Sequence, residues 1–379
     1  TMTKALHLYQ KCRSLTDKIL SDLKALVEIE TPTGHTEGIL REQEILKTWF
    51  EEIGASVQIL PFDGGANLIA TLRGTGTKKL MLLAHADTVF EVGTLSRNPY
   101  RIEDGQVRGP GCIDCKGGII LGIYALKLLK EENYTDYDTI TFVVNGDEET
   151  GSDASRDLIV SIAKQHDAAI VLEASKQNHG ACVSRGGMGQ ATITVHGVAC
   201  HACRYEKGAN ALEEMAHQIL QLRTLSDPSR KTSVSCTVCQ AGEVANAIPD
   251  LAVCKVDVRY QEQAEYDRVV QEARKFAAQP LVPGTTVHFQ IKAHPAFPEN
   301  PATEAMAAKL KSIYTEIHEP MEPVTSPGIS DANYIYPVGT PVIDGLSFVG
   351  INSHSVTEQG EVASIPSHLY GLTRFLQEL

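Results

Sequence analysis

The chain has 379 residues, of which 42% are hydrophobic and 21% charged, which predicts two globular domains and excludes a mini-scaffold or a disordered tail. Lys and Arg number 34 against 47 Asp and Glu, so the formal net charge of -13 disfavours nucleic acid and anionic membranes as partners. The longest nearly uninterrupted apolar stretch, Gly117 to Leu126, is far shorter than the ~20 residues of a membrane-spanning helix. The composition therefore predicts a soluble protein.

The nine cysteines are odd in number and scattered through a chain that is large enough to fold without disulfide bonds. This pattern favours reduced thiols and a reducing compartment. No leader of charged, then apolar, then small residues opens the chain, although its first residue is Thr1. We therefore expect a cytoplasmic protein, and a periplasmic or secreted location stays open if a leader was removed.

Apolar residues recur at helical spacing from His7 to Glu30 and from Glu37 to Ile53, which predicts two opening helices. Short apolar runs and helix-like segments then alternate. The predicted strands are Ser56 to Leu60, Asn67 to Leu72, Lys79 to Ala84, Thr139 to Val144 and Ala168 to Leu172. The predicted helices between them are Lys116 to Glu132 and Ala154 to Gln165. This alternation predicts an α/β fold in which helices cover a sheet.

The order of predicted strands and helices changes near Val183, where a second, α+β unit begins. Its predicted strands are Ala191 to Val195, Ser233 to Cys239, Leu251 to Tyr260 and Thr285 to Ile291, and its predicted helices are Ala209 to Leu225 and Gln263 to Ala278. The first pattern then resumes with a predicted helix from Thr303 to Ile317, a predicted strand from Pro341 to Ile343 and a terminal helix from Pro366 to Leu379. We therefore predict one domain formed by 1–182 and 296–379, and a second domain, 183–295, inserted into it.

His85 and Asp87 follow the predicted strand that ends at Ala84. Residues two apart on a strand point to the same side, so the Asp87 carboxylate can orient the His85 imidazole and raise its basicity as a metal ligand. A single His-x-Asp is more often an ordinary polar loop. The pair therefore needs further ligands to indicate a metal site.

A glycine-rich loop, Gly109 to Gly118, opens the helix predicted from Lys116. A phosphate cradle and a plain turn are the simple interpretations, but the loop lacks the glycine patterns of nucleotide-binding sites. Its acid, Asp114, is therefore the residue of interest.

Further acids and a histidine follow predicted strands or occupy loops. Asp147, Glu148 and Glu149 are consecutive, which is repulsive unless a cation binds or one carboxyl stays protonated, and a solvated acidic turn is the alternative. Glu173 ends another apolar strand, and ligands of open α/β sheets gather at such ends. His354 lies in a polar loop before the last helix, where a surface histidine is the common interpretation.

Taken in order, these motifs resemble the M20 metallopeptidases. The shared pattern is HxD after a strand, GPGxxDxKGG, DEExGS, an acid that ends the next strand, and a late HS with an acid four residues on. The glutamate carboxypeptidase (carboxypeptidase G) type is the most similar, through Ser155 to Leu158, Asp257 to Tyr260, and His354 followed by Glu358. The resemblance covers essentially the whole chain. It implies an α/β, mixed-sheet zinc-peptidase domain with an inserted α+β lid and dimerisation domain.

The resemblance implies two zinc ions in the main domain. Asp114 would bridge both ions. His85 and Glu173 would complete one site, and Glu149 and His354 the other. Five nitrogen and oxygen ligands around two ions leave room for a bridging water, whose pKa falls towards ~7 when zinc holds it.

Glu148 would be the general base of such a site. It adjoins a ligand without being one, so it can take the water's proton and later hand it to the leaving amine. Asp87 would hold His85 in position.

The inserted domain would be the family's lid. Cys200-His201-Ala202 lies where the family has Ser-His-Ala, whose histidine reaches the partner subunit's active site and stabilises the oxyanion. Asn246 and Arg259 match lid positions that hold a substrate carboxylate, although Arg259 alone would be interpreted as a surface charge at a strand end. The resemblance thus implies a homodimer that acts on a small peptide or an N-acyl amino acid.

The chain departs from the family pattern at a few positions. Cys200 replaces the serine of the lid motif, and Cys115 stands where many relatives have a second acid or Met. Segment Ala174 to Ser184 offers only Lys176 as a cation, so recognition of a glutamate side chain is not assured.

The CxxC spacings Cys200-x-x-Cys203 and Cys236-x-x-Cys239 support a rival interpretation, a structural zinc ribbon in a binding module. The second pair falls on a strand-like run without a knuckle glycine. Cys112-x-x-Cys115 also breaks any simple pairing.

The leading prediction is a zinc-dependent hydrolase that removes a C-terminal acidic amino acid from a peptide or N-acyl conjugate. Deacylation or desuccinylation of a small N-acyl amino acid is the alternative within the family. A catalytically silent metal-binding scaffold is the non-enzyme alternative.

Overall fold

The computed structural model describes residues 2–379, with Met2 and Thr3 described by their backbone alone. The chain divides into two compact units. Unit 1 comprises the residues up to Val183 together with Glu299–Thr325 and Ser330–Leu379, and unit 2 comprises Ser184–Pro298 and Ser326–Ile329. The sequence analysis placed the crossings at 182/183 and 295/296 and did not foresee the short return of the chain to unit 2.

The α-helices of the described residues are α1 (Met2–Ser14), α2 (Thr16–Val27), α3 (Thr36–Glu52), α4 (Thr94–Arg97), α5 (Lys116–Glu131), α6 (Arg156–Lys164), α7 (Ala211–Arg223), α8 (Gln263–Ala278), α9 (Pro301–Thr315), α10 (Ala332–Ile335) and α11 (Ile365–Glu378).

The strands are β1 (Ser56–Phe62), β2 (Gly65–Arg73), β3 (Lys79–His85), β4 (Arg101–Glu103), β5 (Gln106–Arg108), β6 (Thr139–Asn145), β7 (Ala168–Val171), β8 (Cys182–Arg185), β9 (Gly187–His196), β10 (Cys200–His201), β11 (Ser233–Ala241), β12 (Ala247–Ile248), β13 (Leu251–Tyr260), β14 (Thr286–His294), β15 (Val324–Ser326), β16 (Val342–Ile343), β17 (Gly350–Ile351) and β18 (Gln359–Glu361).

The prediction of one helix from His7 to Glu30 is wrong, because α1 ends at Ser14 and α2 begins at Thr16. The Ser14 hydroxyl donates to the Lys11 carbonyl at 2.7 Å, and the Leu15 N–H donates to the Cys12 carbonyl at 3.2 Å. These bonds to carbonyls three residues back tighten the last turn of α1 and end it. Three helices therefore open the fold rather than two.

Unit 1 is built on a mixed six-stranded sheet in the order β1-β2-β6-β3-β7-β16. The hairpin β1-β2 joins the sheet antiparallel to β6, whereas β6, β3, β7 and β16 are mutually parallel neighbours. Every residue of β6 is buried, as expected of a central strand covered on both faces. The predicted mixed sheet is therefore present.

The parallel register brings three strand ends to the same edge of the sheet. His85 at the end of β3 pairs with Asn145 at the end of β6, and Leu83 pairs with Val171 at the end of β7. Because β3 lies between β6 and β7, the segments that follow these strands emerge side by side. This edge is where the acids after β6 and β7 meet His85.

Helix α5 follows the glycine-rich loop and is buried along nearly its whole length. It is apolar around its circumference, as expected of a helix in the core of a large domain. A smaller four-stranded sheet, β17-β18-β5-β4, supports the loop that carries His354. No helix among the described residues is long and apolar enough to cross a membrane.

Unit 2 contains a four-stranded antiparallel sheet in the order β11-β13-β9-β14. Alternate residues of β13, from Ala252 to Tyr260, are buried, and α7 and α8 pack against the sheet. The remaining positions of β13, such as Lys255 and Arg259, face solvent. One face of the sheet thus forms the core of unit 2, and the other is open.

Candidate metal centre

Asp114 lies at the centre of a group of donor atoms in unit 1. Its Oδ1 is 3.0 Å from His85 Nε2, and that nitrogen is 3.2 Å from Glu173 Oε1. Its Oδ2 is 2.9 Å from His354 Nε2, and that nitrogen is 3.0 Å from Glu149 Oε2. The two oxygens of one carboxylate therefore face two separate pairs, each made of a histidine and a glutamate. We call Asp114 and these four residues the donor group.

Asp114 is positioned by the loop before α5. The carboxylate of Glu358 accepts hydrogen bonds from the backbone N–H groups of Gly111 (3.2 Å), Ile113 (2.9 Å) and Asp114 (3.1 Å). Gly111 has a φ of +74°, and a Cβ there would lie 2.6 Å from a Thr88 methyl group, so glycine is required at this turn. Glu358 thus fixes the backbone that presents Asp114.

His85 is buried at the end of β3, and its second ring nitrogen is oriented by Asp87. His85 Nδ1 lies 2.9 Å from the Asp87 carbonyl oxygen and 3.3 Å from its carboxylate Oδ1. Contact with these two acceptors favours a proton on Nδ1 and leaves Nε2 free to act as a ligand. The backbone carbonyl makes the shorter of the two contacts, which the sequence did not predict.

The Asp87 carboxylate also contacts the turn that follows β6. It accepts hydrogen bonds from the backbone N–H groups of Glu148 and Glu149, each at 3.0 Å, and from the Thr33 hydroxyl at 2.6 Å. Asp87 therefore ties the strand end that carries His85 to the turn that carries the two glutamates.

Glu148 is adjacent to the donor group, with its Oε2 at 3.4 Å from His85 Nε2. Burial raises its pKa well above the ordinary value, and the charges of Glu149 and Glu173 raise it further against the opposing effect of His85. A carboxyl group with a raised pKa can accept and release a proton nearer to neutral pH than an exposed one.

The donor group concentrates negative charge. Burial raises the pKa of Glu149 to about 8 and also raises the pKa of Glu173. Hydrogen bonds with Asp114 and Glu149 raise the pKa of His354 to about 10. Carboxylates packed this closely repel each other unless positive charge lies between them.

These residues fit a divalent metal centre. The ligand atoms of His85, Asp114 and Glu149 lie within 4.8 Å of one another. Glu149 Oε1 is buried and has no hydrogen-bond partner among the described residues, as expected of an oxygen aimed at a cation. Imidazole nitrogen and carboxylate oxygen are donors that zinc binds.

Comparison with known proteins agrees with this geometry. The family model described as peptidase family M20/M25/M40 matches residues 81–378. Carboxypeptidase G2 from Pseudomonas sp. (strain RS-16) is 32% identical over 98% of this chain and 92% of its own length. The chain belongs to the M20 peptidase family. The predicted resemblance to M20 metallopeptidases is thereby confirmed, and the chain is a hydrolase of this family.

One further relative and one solved structure are also similar to this chain. Succinyl-diaminopimelate desuccinylase from Psychromonas ingrahamii is 26% identical over 94% of this chain and 97% of its own length. The crystal structure of a tripeptidase from Staphylococcus aureus has a TM-score of 0.81 at 21% identity and covers 96% of this chain and 98% of that one. The structural likeness confirms the predicted fold class.

Cys115 marks one departure of this M20 chain from the expected motif. It follows Asp114, is buried, and lies near His85 and Glu173, with ligand atoms within 4.8 Å of one another. Its Sγ donates to the Leu172 carbonyl at 3.2 Å. The thiol thus connects the Asp114 loop to the segment that leads to Glu173.

The next residue of the motif, Lys116, is buried although it is charged. Its Nζ lies 3.2 Å from Glu42 Oε2 and donates to the carbonyls of Leu26 (2.9 Å) and Ile29 (3.1 Å). Burial raises the pKa of Glu42 to about 7 and lowers the pKa of Lys116. Sequence analysis missed this pair because Glu42 lies in an amphipathic helix where a glutamate normally faces solvent.

The three predicted substrate-binding residues of the M20 chain lie in unit 2. His201 and Asn246 are neighbours: the Ala202 N–H donates to the Asn246 carbonyl at 2.8 Å, and His201 pairs with Ala247. Both side chains are exposed. His201 Nδ1 accepts a hydrogen bond from the Cys203 N–H at 3.1 Å.

Arg259 lies on the open face of β13. It donates from Nε to Asp257 Oδ1 at 2.9 Å and from a terminal nitrogen to Asp257 Oδ2 at 3.2 Å. This two-point contact orients the guanidinium, and its remaining N–H groups are left for a further acceptor.

The rival zinc ribbon gains no support. All nine cysteines are free thiols, and the two CxxC pairs lie on separate elements, one at β10 and one on β11. Neither CxxC pair belongs to the two groups of candidate metal ligands found within residues 2–379, both of which contain His85.

Proposed function

We propose that this M20 hydrolase is a dizinc carboxypeptidase that cleaves the amide bond to a C-terminal acidic amino acid of a peptide or N-acyl conjugate. The observation that carries the proposal is the Asp114 carboxylate, whose two oxygens face separate donor pairs. The 32% identity to carboxypeptidase G2 over nearly the whole chain supports the carboxypeptidase assignment.

In this proposal the Asp114 carboxylate would contribute to two metal sites. His85 and Glu173 would complete one site, and Glu149 and His354 the other. When bound, the ions would polarise the scissile carbonyl and lower the pKa of the attacking water. The protein supplies the fixed positions of these five side chains and of the base beside them.

Glu148 acts as the general base in this account. Its carboxylate removes a proton from the attacking water and later delivers it to the nitrogen of the leaving amino acid. Its position supports both steps, because its Oε2 lies 3.4 Å from the His85 Nε2 atom and therefore beside the proposed ligands. Asp87 assists by holding the backbone of Glu148 and Glu149.

Arg259 and Asn246 would bind the free carboxylate of the substrate. A planar guanidinium matches a carboxylate with charge-assisted hydrogen bonds, and the contact to Asp257 already orients it. This requirement for a free carboxylate distinguishes a carboxypeptidase from a general amidase.

His201 would stabilise the oxyanion formed at the scissile carbonyl. Its Nδ1 accepts from the Cys203 N–H, so the neutral ring carries its proton on Nε2 and can donate from there. We propose that the protein is a homodimer formed through unit 2 and that His201 serves the active site of the partner subunit.

A second function is favoured by the similarity to succinyl-diaminopimelate desuccinylase, which covers 94% of this chain. In that case the enzyme would remove an acyl group from a small N-acyl amino acid. The proposed metal ligands and base serve both reactions, because each hydrolyses an amide bond.

A substrate panel tests the proposal. The zinc-loaded enzyme is incubated with N-acyl glutamate, N-acyl aspartate, N-acyl leucine, the α-amide of N-acyl glutamate, and an N-succinyl diamino acid. We expect the acidic free acids to be cleaved fastest and the amide to be inert. Equal cleavage of the amide and the free acid would overturn the carboxypeptidase assignment, and a preference for the succinylated compound would favour the second function.

A further inference from the structure

Unit 2 carries a group of three thiols that the proposed hydrolysis does not use, Cys236 and Cys239 on β11 and Cys254 on β13. Cys239 pairs directly with Cys254 in the antiparallel register. Cys236 pairs with Val256, which shares a face of β13 with Cys254, and a register shift follows between Cys236 and Val238. The Cys254 thiol consequently interacts with both other thiols. We call these residues the three-thiol cluster.

The spacing of the strands suits a disulfide bond. Directly paired residues of antiparallel strands have Cα atoms about 4.5–5.5 Å apart, and a disulfide needs about 4.4–6.8 Å. Cys239 and Cys254 can therefore be joined without a change of register. The shift beside Cys236 brings a second sulfur to the same partner.

The three thiols differ in exposure and in hydrogen bonding. Cys254 is buried, Cys236 is half-buried and Cys239 is exposed. The hydrogen bond between Cys236 and Cys254 lowers the pKa of Cys236, and the same contact raises the pKa of Cys254. Because the thiolate is the reactive form, the lowered pKa makes Cys236 the more reactive nucleophile, whereas Cys239 is the most exposed thiol of the cluster.

The other cysteines provide a contrast. Burial raises the pKa of Cys12 to about 12 and raises the pKa of Cys112 and Cys115 well above the ordinary value. Buried thiols with raised pKa values are poor nucleophiles. We therefore expect Cys12, Cys112 and Cys115 to react more slowly with oxidants than the three-thiol cluster does.

We propose that the three-thiol cluster is an oxidation site at which a hydroperoxide joins Cys254 to one of its two neighbours in a disulfide bond. The Cys236 thiolate attacks the terminal oxygen of the hydroperoxide, the O–O bond breaks, and the alkoxide or hydroxide that leaves takes up a proton. Cys236 is thereby oxidised to a sulfenic acid. The Cys254 sulfur then attacks the Cys236 sulfur, the S–O bond breaks, and water leaves with the thiol proton. Two thiols have lost two electrons, and one peroxide has gained them.

Cys239 extends this site to solvent. Its thiolate can attack the Cys254 sulfur, which forms the Cys239–Cys254 disulfide and releases the Cys236 thiolate. The exchange needs no further oxidant. It moves the disulfide from a half-buried pair to one that external thiols can reduce.

Peroxide titration with peptide mapping tests the proposal. The full-length protein is treated with an equimolar amount of hydrogen peroxide, its remaining thiols are alkylated without reduction, and its peptides are identified by mass spectrometry. We expect the intact chain to lose two hydrogen atoms and the cross-linked peptides to contain Cys254 joined to Cys236 or Cys239. In Cys254→Ser the cross-link should disappear, and dimedone should label Cys236.

A second variant is needed because Cys254→Ser changes a buried residue and could impair folding. The double variant Cys236→Ser with Cys239→Ser keeps the buried Cys254 and should also lose the cross-link, whereas Cys239→Ser alone should retain the Cys236–Cys254 cross-link. The matched control Cys203→Ser should form the cross-link as the unmodified protein does. A cross-link that persists in the double variant, one between Cys200 and Cys203 alone, or none in the unmodified protein would overturn the proposal.

Discussion

The candidate metal centre of unit 1 and the candidate recognition residues of unit 2 are held in different ways. Asp114 and His85 are fixed by contacts from residues far away in sequence, and His85 is buried while Asp114 is half-buried. Arg259 and His201 are exposed and are oriented by residues two positions away, Asp257 and Cys203. Tertiary contacts therefore position the proposed metal ligands, whereas local contacts at the surface orient the proposed recognition residues.

This difference predicts two classes of variant. Changes in unit 1 should alter metal content or the chemical step, and changes in unit 2 should leave the metals bound.

Glu148→Gln should have the largest effect. Glutamine keeps the shape of the side chain but cannot accept the water's proton, so kcat should fall by ~10² to 10⁴-fold. Metal content measured by elemental analysis should stay unchanged, because Glu148 is not among the proposed ligands. Glu52→Gln, at the exposed end of α3, is the control and should keep full activity. An active Glu148→Gln enzyme would remove the proposed base.

His201→Ala should lower kcat by ~10² to 10³-fold, the usual cost of losing one oxyanion donor. Metal content should be unchanged, and the exposed helical variant His217→Ala should be fully active.

Subunit exchange asks whether His201 acts across the proposed dimer. His201→Ala and Glu148→Gln proteins are mixed and allowed to exchange, and some mixed dimers should then contain one complete site and regain activity. If the mixture stays inactive after subunit exchange has been verified, His201 does not act in the partner subunit.

Asp87→Ala should weaken metal binding by about 10 to 100-fold, the usual effect of losing a residue that orients a ligand. The variant removes the acceptor of the Glu148 and Glu149 N–H groups as well as the carboxylate beside His85. Competition with a chelator measures the change, and thermal unfolding shows whether the variant is folded. Asp63→Asn, at an exposed turn, should bind metal normally. Unchanged metal affinity in folded Asp87→Ala would contradict this role.

Arg259→Ala should have the smallest effect, a rise in KM of about tenfold with kcat nearly unchanged. A hydrogen bond to a charged group is worth ~1.5 to 3 kcal/mol, and the exposure of this guanidinium favours the low end. Lys255→Ala, on the same face of the same strand, is the matched control and should keep KM unchanged. An equal rise in KM in both variants would show a general effect of surface charge.

Much of the fold could be predicted because apolar runs mark its strands. The run from Lys79 to Ala84 is β3 less its last residue, and Leu251 to Tyr260 coincides with β13. Elements of two or three residues such as β10 and β12 were missed, since segments this short carry no hydrophobic period. The break at Leu15 was missed because the sequence there has neither glycine nor proline.

The candidate ligands could be named because acids and histidines after apolar strands form an ordered pattern. The contacts that hold these ligands in position could not be predicted, because the contacts join segments that are distant in sequence. Glu358 was recognised as a motif residue, but its three bonds to the loop before α5 depend on the tertiary fold. The buried pair of Glu42 and Lys116 gave no signal in sequence, since each residue type normally faces solvent.

Zinc stoichiometry decides whether Asp114 takes part in two metal sites, as proposed. The protein is stripped with a chelator, dialysed against zinc and analysed for metal and protein together. We expect two equivalents per chain, activity that returns with the metal, and loss of both equivalents in Asp114→Ala. No more than one equivalent at saturating zinc, or two retained in the variant, would contradict this role of Asp114.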